Sequence, residues 1–210
     1  MVKQNDPSGD DSSMFEVFNR LNSGGVNLKP QEIRTSMYHS EFYRMLYRIN
    51  AESEKWRELL GAEAPDLHMK DIEILLRGFA MLVEGRHYTP SMVKFLNRFS
   101  NICKANGSEK NHYYQILFES FLESCSGLPS DAFINKRNNR FNIALYEAVF
   151  AVSCKRAFTE HRPVEGLLRA ERVRALEEDE EFSGAALVGT TSTANVEKRL
   201  GRAEAIVGTL

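Results

Sequence analysis

An all-α fold, an irregular bundle of about nine to eleven helices, follows from three features of the sequence. From Phe42 onwards, apolar residues recur at the i, i+3, i+4, i+7 spacing that puts them on one face of a helix. No long stretch alternates apolar with polar residues, and β-branched clusters are absent. Ser, Pro and Gly stand where such helices need caps, first turns and ends.

Taken in order, residues 1–13 contain "NDPSGDDSS" and read as a flexible segment. The "MVKQ" before it resembles the tail of an element, so the chain is expected to begin partway through a larger fold. Residues 14–210 read as a single helical domain. Ser12 or Ser13 caps a short helix carrying Phe15, Val17, Phe18 and Leu21, which ends at "NSGG", where glycine tolerates positive φ. Pro30 opens "PQEIRTSMY", and Ser40 caps "EFYRMLYRIN", with Phe42, Met45, Leu46 and Ile49 on one side. Asp66 or His68 starts "MKDIEILLRGFAMLVEG", the most strongly patterned helix. Thr89 and Pro90 are expected as cap and first turn of "SMVKFLNRFSNIC", with Phe95, Leu96, Phe99 and Ile102 inward. "NHYYQILFESFLESC" is closed by Gly127 and Pro129. "RFNIALYEAVFAVSCKRAF" is apolar nearly all round and is expected to be the central helix. Pro163 is expected to start "VEGLLRAERVRALEEDEEF", and Ser192 to cap "ANVEKRLGRAEAIVG".

With 27 Lys and Arg against 29 Asp and Glu, the chain has no overall field to draw it onto nucleic acid or an anionic membrane. Cys103, Cys125 and Cys154 are widely spaced and lack neighbouring His, which argues against zinc and against a disulfide scaffold and points to the cytoplasm. No run of about 18 apolar residues exists to span a membrane. The histidines lack metal-ligand spacing, so no metal site is expected.

Two stretches carry chemistry-bearing residues. In "FNRLNSGGVNLKPQEIR", residues 18–34, Gly24 and Gly25 precede a helix N-terminus, where backbone N–H groups and the helix dipole favour an anion. Arg20, Asn22 and Arg34 add donors, and Gln31 and Glu32 lie in the first turn. The same residues also make an ordinary helix-to-helix turn. In "INKRNNRFN", Lys136, Arg137 and Arg140 stand among asparagines, as nucleic-acid contacts or as a solvated loop. Trp56 in "EKWRELLG" reads as a core or interface anchor, and "EEDEE" as a solvated helix end. Arg156 and His161 match the R-x4-H spacing of helical RNases, a match expected by chance about as often as not.

The string Phe18-x-Arg20-Leu21-Asn22-x-Gly24-Gly25, followed by Leu28 and Gln31-Glu32-Ile33-Arg34, closely resembles a block of the GmrSD-type restriction enzyme N-terminal domain family. The resemblance continues through "MKDIEILLRGFAML" and "FLNRFS" to "GTTSTANVEKRL". It implies a protein of bacterial defence against phage carrying modified DNA, akin to type IV restriction. Complete members are similar to ParB or sulfiredoxin in an N-terminal α/β half that bears a D-G-Q-Q-R motif tied to nucleotide binding and hydrolysis. An H-N-H nuclease domain often accompanies them.

This sequence carries neither motif, so it resembles only the C-terminal helical portion. The resemblance then implies a composite site for an NTP with Mg in the complete protein, one side supplied by Arg20, Asn22, Gly24, Gly25, Gln31, Glu32 and Arg34. The expected partners are the ParB-like half, DNA and an H-N-H domain, and the chain alone is expected to hold no cofactor and to be inactive. A non-enzymatic helical interaction module is the alternative, which would leave an apolar patch exposed around Phe15 and Phe18. A helical RNase using Arg156 and His161 is a second.

Overall fold

The computed structural model describes residues 15–17, 20, 28–136 and 138–210. Within them the protein is predominantly α-helical. Residues 15–17 and 20 are helical, and ten further α-helices follow: α1 (Pro30–Met37), α2 (Glu41–Glu52), α3 (Glu54–Leu60), α4 (Lys70–Glu84), α5 (Met92–Lys104), α6 (Ser108–Ser124), α7 (Ile143–Thr159), α8 (Ala170–Glu178), α9 (Glu180–Leu187) and α10 (Thr193–Ile206). Between α6 and α7 lies a small antiparallel hairpin, β1 (Ile134–Asn135) and β2 (Arg140–Phe141), in the register Ile134 to Phe141.

The centre is the pair α4 and α7, the most extensive helix contact among the described residues. On α7 the residues Leu145 to Cys154 are all buried, as its composition predicts. Gly78 lets the two axes close: a β-carbon there would lie 2.7 Å from the Tyr146 hydroxyl and 3.1 Å from Phe150. Helices α2, α5 and α6 complete an aromatic core in which the Phe79 ring stacks on Tyr114 and meets Phe42 and Phe150 edge-on. Fully burying such a side chain contributes roughly 1.5–3 kcal/mol. Helices α8, α9 and α10 pack together on the other side of α7, chiefly through α10.

Ser40, Ser192 and Pro30 act where expected: Ser40 accepts from the Tyr43 amide, Ser192 from the Asn195 amide, and Pro30 is the first residue of α1. Asp66 accepts from the amides of His68 (2.8 Å) and Lys70 (3.1 Å) and so opens α4.

Other expectations need correction. The cap residue of α5 is Ser91, not Thr89, and Ile102 is 42% exposed while Cys103 takes the inward place. The reason is that Asn97 and Ser100 also face inward to meet polar groups of α1 and α2, which rotates the buried face. Pro163 does not start a helix. The amides of Val164 and Leu168 go to the Ser120 hydroxyl (2.9 Å) and the Ser124 carbonyl (2.8 Å), so this stretch runs along α6. Asp179 then divides the remainder into two helices by accepting from the Phe182 amide as a new cap.

Helix α3 and the hairpin have no counterpart among the expected elements. Ser53 caps α3 and Gly61, at φ 63°, ends it. Trp56 is buried as expected; its indole N–H donates to Asn50 at 3.0 Å, and Asn50 in turn donates to Asp71 at 2.8 Å. Phe15 is buried, contrary to the apolar patch expected there; Phe18 lies outside the described residues.

Candidate functional site

The second half of the residue 18–34 block is built into the core. Gln31, Ile33 and Arg34 are buried on the inner face of α1, which packs on α4 and α5. Arg34 has no exposed surface at all. Its Nε donates to Asn97 Oδ1 at 2.9 Å, its Nη1 donates to Gln31 and lies 3.4 Å from Glu73 on α4. Gln31 passes a further hydrogen bond to Thr35 at 3.2 Å. Arg34 Nη2 is buried with no hydrogen-bond partner among the described residues. An unmet buried donor costs roughly 1–3 kcal/mol, so this one calls for a cause. Beside it, burial pushes the Tyr43 hydroxyl up to about 12 while the Arg34 charge pulls the other way.

From Arg34 a line of charges crosses the molecule. Glu73 lies 3.7 Å from Arg77, Arg77 Nε donates to Glu147 on α7, and the second Glu147 oxygen is 4.0 Å from Arg199 on α10. Glu147 and Arg199 are buried. Arg199 Nη1 donates onwards to the carbonyls of Ala185 (3.0 Å) and Thr190 (2.8 Å).

Burial opposes the charge on Arg77, yet Glu147 and Glu73 outweigh it and hold the guanidinium above its usual range. On Arg199 burial wins over Glu147 and the value falls. Arginine stays protonated in either case. The carboxylates of this spine are committed to guanidinium groups, so its chemistry is the positioning of α1, α4, α7 and α10 relative to one another.

The outer side of α1 is different. Glu32 reaches back to accept the Lys29 amide at 2.5 Å and lies 3.5 Å from the exposed His68 imidazole. Arg20 is exposed. Asn22, Gly24 and Gly25 lie outside the described residues. The structure thus brings Gln31 and Arg34 together, sets Glu32 on the opposite face, and leaves Arg20 at the surface.

Lys136 and Arg140 are exposed on the two sides of the hairpin turn, and Arg137 is outside the described residues. Lys136 faces Glu177, whose carboxyl burial raises and Lys136 lowers. Arg156 is held by Glu160 at 2.9 Å, whereas the His161 ring stacks on Tyr113 with centroids 3.9 Å apart, so each has its own partner. All three cysteines are buried; burial pushes Cys103 and Cys125 up to about 12 and Cys154 well above the ordinary thiol range.

The larger surface cavities among the described residues lie away from α1. One of about 500 Å³ is lined by Lys55, Glu58, Leu122 and Pro129, another of about 300 Å³ by Leu82, Arg86, Lys155 and Phe158. No described helix is long and apolar enough to cross a membrane. Among the described residues no group of three or more His, Cys, Asp or Glu is placed to hold a metal ion.

Sequence reasoning missed the spine beyond Arg34: Glu73, Arg77, Asn97, Glu147 and Arg199. Glu147 is the legible one, a lone acid inside "IALYEAVFAV", where an unpaired charge would be untenable. Comparison with protein-family models, curated proteins and solved structures finds no match.

Proposed function

We propose that this chain is the helical portion of a nucleotide-dependent DNA-defence protein and supplies one side of a composite NTP site. The reading rests on the resemblance of residues 18–34 to the GmrSD-type block. One structural observation supports it: the block is divided between an anchor and a surface. Gln31, Ile33 and Arg34 tie α1 into the core, while Arg20 stays exposed. Such a division suits a segment whose base must be rigid so that its glycines and Arg20 can meet phosphates held by another body.

In this reading Gln31 and Arg34 position the segment, and Arg20, Asn22, Gly24 and Gly25 touch the nucleotide. A D-G-Q-Q-R-bearing half supplies the opposite wall. In this reading any Mg is held between the phosphates and that half. Phosphoryl transfer needs several groups held together, so one wall alone is inactive. DNA, cut by an accompanying nuclease domain, is the target, with Lys136 and Arg140 as the candidate contacts of this chain.

The test is NTP hydrolysis by this chain with and without a D-G-Q-Q-R-bearing partner. Activity is expected from the mixture alone and is expected to fall when Arg20→Ala replaces the wild type. Equal activity of wild-type and Arg20→Ala mixtures would remove Arg20 from the site.

A further inference from the structure

Leu187 and Val188 are adjacent large apolar side chains standing 66% and 78% exposed at the end of α9. Their backbone is held in place. Asn195 Nδ2 donates to the carbonyls of Val188 (2.8 Å) and Gly189 (3.0 Å), Arg199 to those of Ala185 and Thr190, and the Tyr88 hydroxyl to that of Thr191 (2.7 Å). Five side-chain hydrogen bonds therefore fix the segment that presents the apolar pair. Presenting it in a fixed geometry lowers the ordering cost of covering it.

One turn earlier on α9 is Gly184. It is exposed, its backbone is not left-handed, and a β-carbon there would meet nothing within 4 Å. An interior glycine weakens a helix relative to alanine, and no contact inside the molecule requires this one. The same face runs back through Glu181 and Glu180, at helical spacing from Gly184 and Leu187, and Val188 is the extended residue that follows. Asp179 is paired with Arg202 at 2.6 Å and Glu178 with Arg174 at 2.9 Å, while Glu181 reaches Arg202 at only 3.9 Å. Glu180 is exposed and has no ion pair among the described residues. The face is acidic at one end, small in the middle and apolar at the other.

We infer that this face of α9 docks a basic amphipathic helix of a partner protein. Its backbone approaches at Gly184, its Lys or Arg side chains meet Glu180 and Glu181, and a large apolar residue covers Leu187 and Val188. A second copy of this chain is the poorer occupant. Antiparallel pairing across Gly184 would press carboxylates onto Leu187 and Val188, and parallel pairing would set carboxylate against carboxylate.

The probe is a fluorescein-labelled helical peptide of Lys and Leu at amphipathic spacing, about five turns long, titrated with the full chain and followed by anisotropy. A Glu and Leu peptide of the same pattern is the control. Binding of the basic peptide alone is expected. Gly184→Gln, and separately Leu187→Ser with Val188→Ser, should each weaken it about tenfold or more, with unchanged circular dichroism because these positions are exposed. Glu180→Gln with Glu181→Gln should flatten its salt dependence. Equal affinity in the Gly184→Gln chain, or equal binding of the acidic peptide, would overturn the inference. So would sedimentation showing a dimer of this chain that Gly184→Gln dissolves, which would assign the face to a second copy.

Discussion

Replacing Arg34 by alanine tests whether the block anchors α1. The side chain has no exposed surface and joins α1 to Asn97 on α5 and Glu73 on α4. Removing one partner of a buried ion pair costs about 3–5 kcal/mol because the other charge is stranded. Here Glu73 keeps Arg77 at 3.7 Å and is 29% exposed, so the lower end, about 3 kcal/mol, applies. For a chain of this size, about 2–4 °C per kcal/mol translates this into a melting temperature lower by about 6–12 °C. Arg34→Met strands Glu73 in the same way but fills most of the vacated volume, so it avoids the cavity and is expected to cost less than Arg34→Ala. Thermal unfolding followed by circular dichroism measures both. A shift below about 2 °C for Arg34→Ala would refute the anchor, since a dispensable guanidinium cannot be fixing the helix.

Three further outcomes follow from the packing. Glu147→Gln leaves Arg77 and Arg199 short of their shared carboxylate and should cost about 3–5 kcal/mol in urea unfolding, more than Arg34→Ala. Gly78→Ala drives a methyl group into the Tyr146 hydroxyl and should destabilise by about 1–3 kcal/mol, whereas Gly184→Ala meets open space and should stabilise by up to about 1 kcal/mol. The Asp179 carboxyl is held below its usual range by hydrogen bonds from Arg202 and the Phe182 amide. A depressed carboxyl stabilises the fold above its unfolded pKa and ceases to do so as pH falls through the folded value. The melting-temperature gap between wild type and Asp179→Asn should therefore be full near neutrality and close as pH drops below about 4.

Helix type was legible where one face is plainly apolar, as in α2 and α4, or where nearly the whole helix is, as in α7. It failed where polar partners decide the outcome. Nothing local in "PVEGLLR" announces that Ser120 and Ser124 will take its amides. Nothing in "SNICK" says that Cys103 turns in and Ile102 out, which follows from Asn97 meeting Arg34 and Ser100 meeting Tyr43. The two-residue strands of the hairpin are too short to show an alternation, and they form because Phe141 packs on Trp56 and Phe133. At the candidate site the residue types of the block drew attention to Arg34, but its burial depends on Asn97, distant in sequence. Glu147 alone could have been singled out, by its place in an otherwise apolar helix.

The central claim, that residues 18–34 form one wall of a nucleotide site, is tested most directly by a fluorescent nucleotide analogue titrated into this chain, a D-G-Q-Q-R-bearing half, and the two together. Tight binding by the mixture alone, lost in Arg20→Ala with an unchanged melting temperature, is the predicted result. Binding by the mixture that is indifferent to Arg20→Ala, or equal binding by this chain alone, would contradict it.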